Sequence, residues 1–180
     1  GNVCVPMDAK LTYEDIEDQI IRCDCDGVAY SKKFAKLAEQ MKANPDVPQM
    51  EYFFMDEFDT YYAEGEKLIE AGNDYFDKVE VKPDDLAAIV FTSGTTGKSK
   101  GIILSNGNFN ALARQCNAIE KIVAPGNSIL SALPIFHGFG LGVCVHMPLY
   151  NGMKCILVPK LNTKKINKEL KKYKPNLLPV

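Results

Sequence analysis

The stretch that most constrains the fold is an apolar run that ends in a loop of glycines, hydroxyls and lysines. Residues 86–91 are LAAIVF, a continuous apolar run typical of a strand buried on both faces. The run leads directly into FTSGTTGKSKG, residues 91–101. Glycines let backbone N–H groups approach an anion closely, and hydroxyl and ammonium groups add hydrogen bonds and charge. The junction therefore predicts a polyphosphate-binding loop, most simply for a nucleotide, at the end of a buried strand.

Two kinds of phosphate-binding loop have residues of these types. The end of the Walker A pattern, G-x-x-x-x-G-K-[ST], matches residues 97–99 (GKS), but Thr92 stands where the first glycine is required. A Walker loop also opens directly into a helix, whereas residues 102–104 (IIL) predict another short strand. A strand–loop–strand hairpin therefore fits the sequence better than the loop of a Walker-type NTPase.

The loop resembles the signature segment of the adenylate-forming enzymes, a superfamily that includes acyl-CoA synthetases, luciferases and peptide-synthetase adenylation domains. Their pattern is roughly [YF]-T-S-G-T-T-G-x-P-K-G, and residues 91–101 match every fixed position except that Ser99 replaces proline. The resemblance implies that the loop holds the phosphates of ATP, with Lys100 as a catalytic cation and Thr96 as a candidate Mg²⁺ contact. It implies no other metal ligand in this chain. The implied phosphate-binding residues are Thr92, Ser93, Gly94, Thr95, Thr96, Gly97, Lys98 and Gly101.

Two further segments carry the same resemblance. The opening residues 1–12, GNVCVPMDAKLT, are similar to the family pattern G-x-x-x-V-P-L-D-P-x-L-T. Residues 134–140, PIFHGFG, are similar to P-x-F-H-x-x-G, a segment that lies beside the carboxylate substrate in family members. The resemblance implies that Phe136, His137 and Gly138 line the acyl pocket and that His137 also has a catalytic role.

The resemblance is strongest to acyl-CoA synthetases of the long-chain fatty acid–CoA ligase kind. It implies that ATP and a carboxylic acid give an acyl-adenylate and pyrophosphate, with Mg²⁺ as cofactor, and that the acyl group then passes to CoA. An adenylation domain that loads a carrier protein and a non-catalytic nucleotide-binding module are the alternatives. The family's second metal-ligand segment, its ribose-binding aspartate and its mobile C-terminal domain are not recognised in residues 1–180. We therefore expect an internal fragment of a large N-terminal domain, with little activity by itself.

Alternating short strands and amphipathic helices predict an α/β fold, in which a parallel sheet is layered with helices. We expect an incomplete domain of this kind over residues 1–122 and the start of a second α/β subdomain over 123–180. The predicted strands are 2–6, 27–30, 49–55, 86–91, 102–104, 128–133 and 153–158. The predicted helices are 13–23, 56–71 and 141–150, with three more that begin after the caps Ser31, Asn106 or Asn108, and Asn162.

Apolar periodicity predicts which faces of these helices are buried. The stripes include Ile16 and Ile20 in the first helix and Ala38 and Met41 in the second. His146 lies within an apolar helix pattern, and we interpret it as a structural residue. In the helix that follows the loop, the residues predicted to face inward are Phe109, Leu112, Ala113, Cys116 and Ile119.

Charge and composition bear on partners and compartment. The net charge of −2 gives no general attraction to nucleic acid, and the lysines of the last predicted helix have the spacing of a solvated face. More than half of the 23 acidic residues fall within residues 51–85, which we interpret as a solvated surface. No apolar run approaches about 18 residues, and the six cysteines show no paired C-x-x-C spacing. We expect a cytoplasmic protein with reduced thiols, no membrane span and no nucleic-acid partner.

Overall fold

The structure is a computed structural model, and it describes residues 1–92, 99–158 and 166–179. The chain divides into two compact units. Unit 1 comprises Gly1–Met7 and Val81–Val180, and unit 2 comprises Asp8–Glu80. The subdomain boundary that we predict between residues 122 and 123 falls within unit 1, and it stays a prediction.

Unit 2 alternates helices and strands, as the sequence predicts. Its two strands pair in parallel, with Gly27 opposite Glu51 at the start of the ladder. The elements are α1 (Tyr13–Cys23), β1 (Gly27–Tyr30), α2 (Ala35–Ala43), β2 (Glu51–Phe54) and α3 (Phe58–Glu70). The predicted inward faces are confirmed, because the buried side chains of α1 and α2 include Ile16, Ile20, Ala38 and Met41.

The starts of the first two helices are set by the residues that precede them. Thr12 is the N-cap of α1, as predicted, and its Oγ1 accepts a hydrogen bond from the backbone N–H of Asp15 at 3.2 Å. The predicted cap Ser31 behaves differently. In the described structure its side chain makes no capping hydrogen bond, and a 3₁₀ turn (Lys32–Phe34) separates it from α2. The α-helix therefore begins at Ala35, later than the apolar stripe suggests.

The acidic stretch forms a surface helix, as expected. A 3₁₀ turn (Met55–Glu57) precedes α3, so the helix predicted over 56–71 begins at Phe58 and ends at Glu70. Each of its 13 residues is exposed or half-buried, and the structure describes all of them. Carboxylates along this helix are therefore solvated.

The described part of unit 1 contains two small sheets and several helices. Its elements are β3 (Leu86–Thr92), β4 (Lys100–Ser105), α4 (Asn106–Ile119), β5 (Ser128–Ser131), α5 (Gly138–Leu141), α6 (Met147–Tyr150), β6 (Lys154–Leu157) and α7 (Ile166–Tyr173). A π-helical turn (Gly142–His146) joins α5 to α6, and we call the continuous segment the 138–150 helix. β3 and β4 are antiparallel, whereas β5 and β6 are parallel. The predicted cap Asn162 lies outside the described residues.

β3 is less buried than its apolar sequence suggests. Ala88 and Val90 are buried, but Leu86 and Thr92 at its two ends are exposed, and the alternate residues are half-buried. The prediction of burial on both faces is therefore wrong. Within the described residues, β3 has one full ladder partner, β4, and a single parallel bridge to Cys4 on its other edge. The strand predicted over residues 2–6 is reduced to that bridge.

α4 begins at a capping box that the sequence analysis did not identify. Its N-cap is Ser105, whose hydroxyl accepts from the Asn108 N–H at 3.3 Å, while the Asn108 side chain accepts from the Ser105 N–H at 2.9 Å. The predicted caps, Asn106 and Asn108, instead lie within the first turn. Phe109 and Ala113 are buried as predicted, but Ile119 is 76% exposed, so its predicted inward position is wrong.

Two apolar clusters organise unit 1. The larger one joins α4, β5 and the 138–150 helix through the buried side chains Ala113, Val123, Ile129, Met147 and Met153. The smaller one joins β3 to α4 through Ala88, Val90 and Phe109, with Leu104 and Leu141 packed against them. The smaller cluster therefore connects the hairpin β3–β4 with the beginning of the 138–150 helix.

The π turn lies just before Pro148, which cannot complete a regular α-helical turn. In a regular α-helix the amide of residue 148 would donate to the carbonyl of Cys144, but proline has no N–H and its ring crowds that carbonyl. The turn widens instead, and the Met147 N–H donates to the carbonyl of Gly142, five residues back. The prediction of one regular helix over 141–150 is therefore wrong at this turn.

The carbonyl left without its usual donor is hydrogen-bonded to β5 and β6. Cys144 O accepts from Ser131 Oγ at 2.5 Å and from Cys155 Sγ at 3.0 Å. These bonds explain how the helix tolerates proline inside a packed region, since a buried carbonyl needs a partner. The predicted burial of the whole helix is wrong at its end, where Leu149 is 66% and Tyr150 is 46% exposed.

Candidate functional site

The predicted phosphate loop connects the two strands of an antiparallel hairpin. Thr92 at the end of β3 lies opposite Lys100 at the start of β4, and Thr92 Oγ1 donates to the Lys100 carbonyl at 3.5 Å. Both side chains are exposed. The predicted strand–loop–strand arrangement is confirmed. The chain runs from the loop into a strand, so the helix required after a Walker-type loop is not formed.

Most of the predicted phosphate-binding residues lie between these two positions. Ser93, Gly94, Thr95, Thr96, Gly97 and Lys98 fall outside the described residues, and this set includes the candidate Mg²⁺ contact Thr96. The structure places the other two, Thr92 and Gly101, on the paired strands. The loop is therefore anchored by a regular ladder whose last pair carries one hydroxyl and one ammonium group.

Gly101 has a packing role that the sequence analysis did not identify. It lies opposite Phe91, and a Cβ built on Gly101 would come within 3.0 Å of Ile89 Cγ2 and 3.5 Å of Phe91 Cζ. The side chains of β3 therefore cover the glycine from across the ladder. This contact accounts for glycine at position 101 without any ligand, and its phosphate-binding role stays a prediction.

The second predicted site segment forms a tight turn before α5. The His137 N–H donates to the Pro134 carbonyl at 3.2 Å, and the rings of Phe136 and His137 lie 4.6 Å apart between centroids, at 47°. Phe136 is half-buried, and His137 is exposed. An ideal Cβ on Gly138 has no heavy atom of the described structure within 4 Å. The turn thus presents an aromatic ring and an imidazole beside open space.

Glycine is required at position 140 by the same turn. A Cβ on Gly140 would lie 2.0 Å from the carbonyl oxygen of Pro134, which is far inside the contact distance. Its place in the P-x-F-H-x-x-G motif gives no physical reason for this glycine. The reason is that the backbone of residue 140 packs directly on the turn that orients Phe136 and His137.

The hairpin and the turn share a core. The Leu141 N–H donates to the His137 carbonyl at 2.9 Å, and the Leu141 side chain packs against the cluster of Ala88, Val90 and Phe109. Val90 is two residues before Thr92 on β3. Leu141 therefore connects the turn, through its backbone, with the core beneath the strand that leads into the loop.

The chemistry offered by the described part of this neighbourhood suits an anion next to an apolar group. Lys100 supplies a cation, Thr92 a hydroxyl and His137 an imidazole, all on exposed side chains. Ile135 and Phe139, which flank the aromatic pair, are 52% and 57% exposed. Exposed apolar side chains beside polar ones are typical of a ligand-binding surface.

His146 is a packed residue, as the sequence analysis interpreted it. Its Nε2 lies 3.0 Å from Asn110 Oδ1, and its ring centroid lies 5.3 Å from that of Phe109. Burial lowers the pKa of the imidazole below its usual 6.5. The neutral ring therefore serves as a hydrogen-bond donor between the 138–150 helix and α4.

The cysteines are all free. Burial, helped by the nearby charges of Cys23 and Asp26, raises the pKa of the Cys25 thiol to about 11. Burial also raises the pKa of the Cys144 thiol. In residues 1–92, 99–158 and 166–179, no group of three or more His, Cys, Asp or Glu side chains is arranged to hold a metal ion. No helix in those same ranges is long and apolar enough to cross a membrane.

Comparison with known proteins gives one family over the whole chain. The family model described as AMP-binding enzyme matches residues 1–180. The chain is 34% identical over 96 residues to a long-chain-fatty-acid–CoA ligase of Bacillus subtilis (strain 168), an alignment that covers 53% of this chain and 17% of that protein. It is 30% identical over 189 residues to 4-coumarate–CoA ligase-like 6 of Arabidopsis thaliana, which covers 100% of this chain and 32% of that one.

A solved structure with the same fold is the N-terminal domain of FACL13 from Mycobacterium tuberculosis. The TM-score is 0.74 at 22% identity, over 94% of this chain and 41% of that chain. The predicted fold class, an incomplete acyl-CoA synthetase-like N-terminal domain, is confirmed. The alignments with the two curated relatives span a third or less of their length.

Proposed function

Because the chain belongs to the AMP-binding enzyme family, we propose that it is part of an ATP-dependent carboxylic acid–CoA ligase. In the proposed reaction a carboxylate attacks the α-phosphorus of ATP to give an acyl-adenylate and pyrophosphate, and the thiol of CoA then displaces AMP. The observation that carries the proposal is the shared core of the hairpin and the aromatic turn, through Leu141. It supports a site in which phosphate-binding and acid-binding groups work together.

The described residues support the role of the hairpin toward phosphate. Lys100 and Thr92 face each other where the ladder ends, and their side chains are exposed. An ammonium group beside a hydroxyl fits a phosphate oxygen, and charge that builds on departing pyrophosphate is stabilised most by cations fixed in advance. We assign Lys100 this catalytic role, with Thr92, Gly101 and residues 93–98 as the phosphate-binding set.

The turn before α5 supports the role toward the acid. We assign Phe136, His137 and Gly138 to the wall of the acid site, with the imidazole of His137 as a donor to a carboxylate oxygen and thus a catalytic residue. The open space beside Gly138 and the exposed apolar side chains nearby favour an acid with an apolar tail. We therefore propose a fatty acid, although the matched relatives are named for both fatty acids and coumarate.

Mg²⁺ supplies charge neutralisation to the phosphates when it is bound. The donors in the described residues do not include an acidic cluster for it, so we assign it no ligand there. The candidate from the sequence is Thr96. We further propose that the rest of the nucleotide site and the CoA site belong to parts of a longer protein, and that this protein works in the cytoplasm, where its six free thiols stay reduced.

The acid is identified by measuring acyl-CoA formation by the full-length protein that contains this chain, with ATP, Mg²⁺ and CoA. The panel consists of straight-chain fatty acids of increasing length, with 4-coumarate as the aromatic comparison. We expect kcat/KM to increase with chain length, because each buried methylene contributes about 0.8 kcal/mol. Preference for 4-coumarate over every fatty acid would overturn the proposed acid class, and the absence of any product would overturn the ligase assignment.

A further inference from the structure

The polar pair His146 and Asn110 joins the 138–150 helix to α4 and takes no direct part in the proposed chemistry. Because an amide oxygen only accepts, the 3.0 Å contact has His146 Nε2–H as donor and Asn110 Oδ1 as acceptor. The imidazole is also near two other rings, with centroids 5.3 Å from Phe109 and 6.0 Å from Tyr150. A hydrogen bond is directional, whereas apolar packing is not. The bond therefore fixes the position of His146 relative to α4 more closely than the ring contacts alone.

Because of where His146 lies in the helix, this bond can fix the register of the residues before it. It is the last residue of the π turn, which holds one more residue than an α-helical turn. A shift of one residue in helical register would rotate the residues before the turn by about 100° and move them by about 1.5 Å along the axis. The residues before the turn begin at Gly138, directly after His137. Any change of register is therefore transmitted to the proposed acid site.

We propose that His146 and Asn110 form a positioning pair that fixes the register of the π turn and so holds Phe136 and His137 in place for the reaction. The inference rests on the proposed function, because it assigns the aromatic turn to the acid site. The juxtaposition that carries it is the contact of His146 with two successive residues of α4, Phe109 and Asn110. Phe109 packs on β3. The pair therefore fixes the position of the 138–150 helix relative to the hairpin β3–β4.

A second polar contact between the same two helices provides a matched control. Asn151 Nδ2 donates to the Ala113 carbonyl at 3.2 Å and to the Met147 carbonyl at 2.9 Å. It joins the end of the 138–150 helix to α4, on the side of the π turn away from His137. Loss of this contact should weaken the packing of the two helices without changing the register of residues 138–141.

The kinetic test compares variants in the full-length protein that contains this chain. We expect His146→Leu to lower kcat for acid-dependent pyrophosphate release by at least about tenfold, because displacements near 1 Å at a reacting group have effects of that size or larger. The KM for ATP should change by less than about twofold, since the hairpin is untouched. His146→Gln, whose side-chain amide can still donate to Asn110, should recover most of kcat. Asn151→Ala should lower Tm about as much as His146→Leu does, but it should keep kcat within about twofold of the wild-type value.

A double-mutant cycle tests whether the two residues act through their hydrogen bond. If they do, the variant with both His146→Leu and Asn110→Leu should be no slower than the slower single variant. If the reductions in kcat of the two single variants multiply in the double variant, the pair is overturned. It is also overturned if His146→Leu and Asn151→Ala lower kcat equally.

Amide hydrogen exchange separates failure of the inference from failure of the proposed function, because it needs no activity. In His146→Leu the amides of residues 138–142 should exchange at least about tenfold faster than in Asn151→Ala, at equal global stability. Should His146→Leu fail to fold, Asn110→Ala removes the same bond by deleting its acceptor, and the same comparison applies. Equal exchange in these variants would overturn the positioning role, whether or not the wild type releases pyrophosphate.

Discussion

Leu141 is hydrogen-bonded to His137 by its backbone, and its side chain packs against the apolar cluster that contains Val90. Its N–H donates to the His137 carbonyl at 2.9 Å, and its side chain belongs to the cluster that includes Ala88, Val90 and Phe109. This relationship connects a turn that carries an imidazole with a strand that leads into a glycine-rich loop. The proposed site depends on this connection.

Gly140 tests the packing of the turn. Gly140→Ala should lower the free energy of unfolding by about 2 kcal/mol or more, because the new Cβ would lie 2.0 Å from the Pro134 carbonyl oxygen. Gly138→Ala is the matched control, since its Cβ meets nothing within 4 Å in the described structure. Urea unfolding of both variants measures the difference. Equal stability of the two variants would contradict the described turn.

A substitution of Lys100 tests whether the positive charge at the loop end of the β3–β4 hairpin is needed for catalysis. Lys100→Ala should lower kcat for adenylation by about 10²–10³, the usual effect of removing one fixed group that stabilises transition-state charge. Lys154→Ala, which removes another exposed lysine of unit 1 from β6, should leave kcat unchanged. Steady-state pyrophosphate release in the full-length protein measures both variants. A Lys100→Ala rate equal to that of Lys154→Ala would remove Lys100 from the catalytic set.

Burial of His146 should lower the free energy of unfolding in acid. Burial lowers the pKa of its imidazole below 6.5, so the unfolded chain takes up a proton before the folded chain does as the pH falls. Stability should therefore decrease from about pH 6.5 down to the folded-state pKa, and this contribution should be constant below it. Urea midpoints measured across that range should show the slope in the wild type and a smaller slope in His146→Gln. His137→Gln controls for loss of one of the two histidines, and an unchanged slope in His146→Gln would contradict the assignment.

The raised pKa of the Cys25 thiol should make its alkylation slow. With its thiol pKa raised to about 11, the reaction of Cys25 with iodoacetamide should keep accelerating as the pH passes 9.0, the ordinary thiol value. In the urea-denatured protein the rate should level off near 9.0, because the burial that raises the pKa is lost. Peptide mass spectrometry gives the rate at this residue. A plateau near 9.0 in the folded protein would contradict the burial of Cys25.

Features with local causes were predictable from the sequence. The helix α1 and its cap Thr12 follow from neighbouring residues, and so does the strand–loop–strand order around residues 92–100. The cap of α4 shows where local reasoning is insufficient. Ser105 and Asn108 are both good capping residues, and only the reciprocal hydrogen bonds show which one is the N-cap.

Features that depend on distant partners were not predictable. Burial of β3 depends on which strands flank it, and the apolar run alone does not specify them. The π turn depends on Pro148 together with Ser131 and Cys155, which provide donors for the displaced carbonyl from two other strands. The apolar sequence around His146 predicts a structural residue, but its partner Asn110 lies 36 positions away in the chain.

The ligase that we propose releases pyrophosphate from ATP in order to activate an acid. The most direct measurement is the identity of the nucleotide product made by the full-length protein from ATP, Mg²⁺ and a fatty acid. We expect AMP and pyrophosphate in equal amounts, formed only when the acid is present, and acyl-CoA once CoA is added. Formation of ADP and inorganic phosphate, or hydrolysis of ATP independent of any acid, would contradict it.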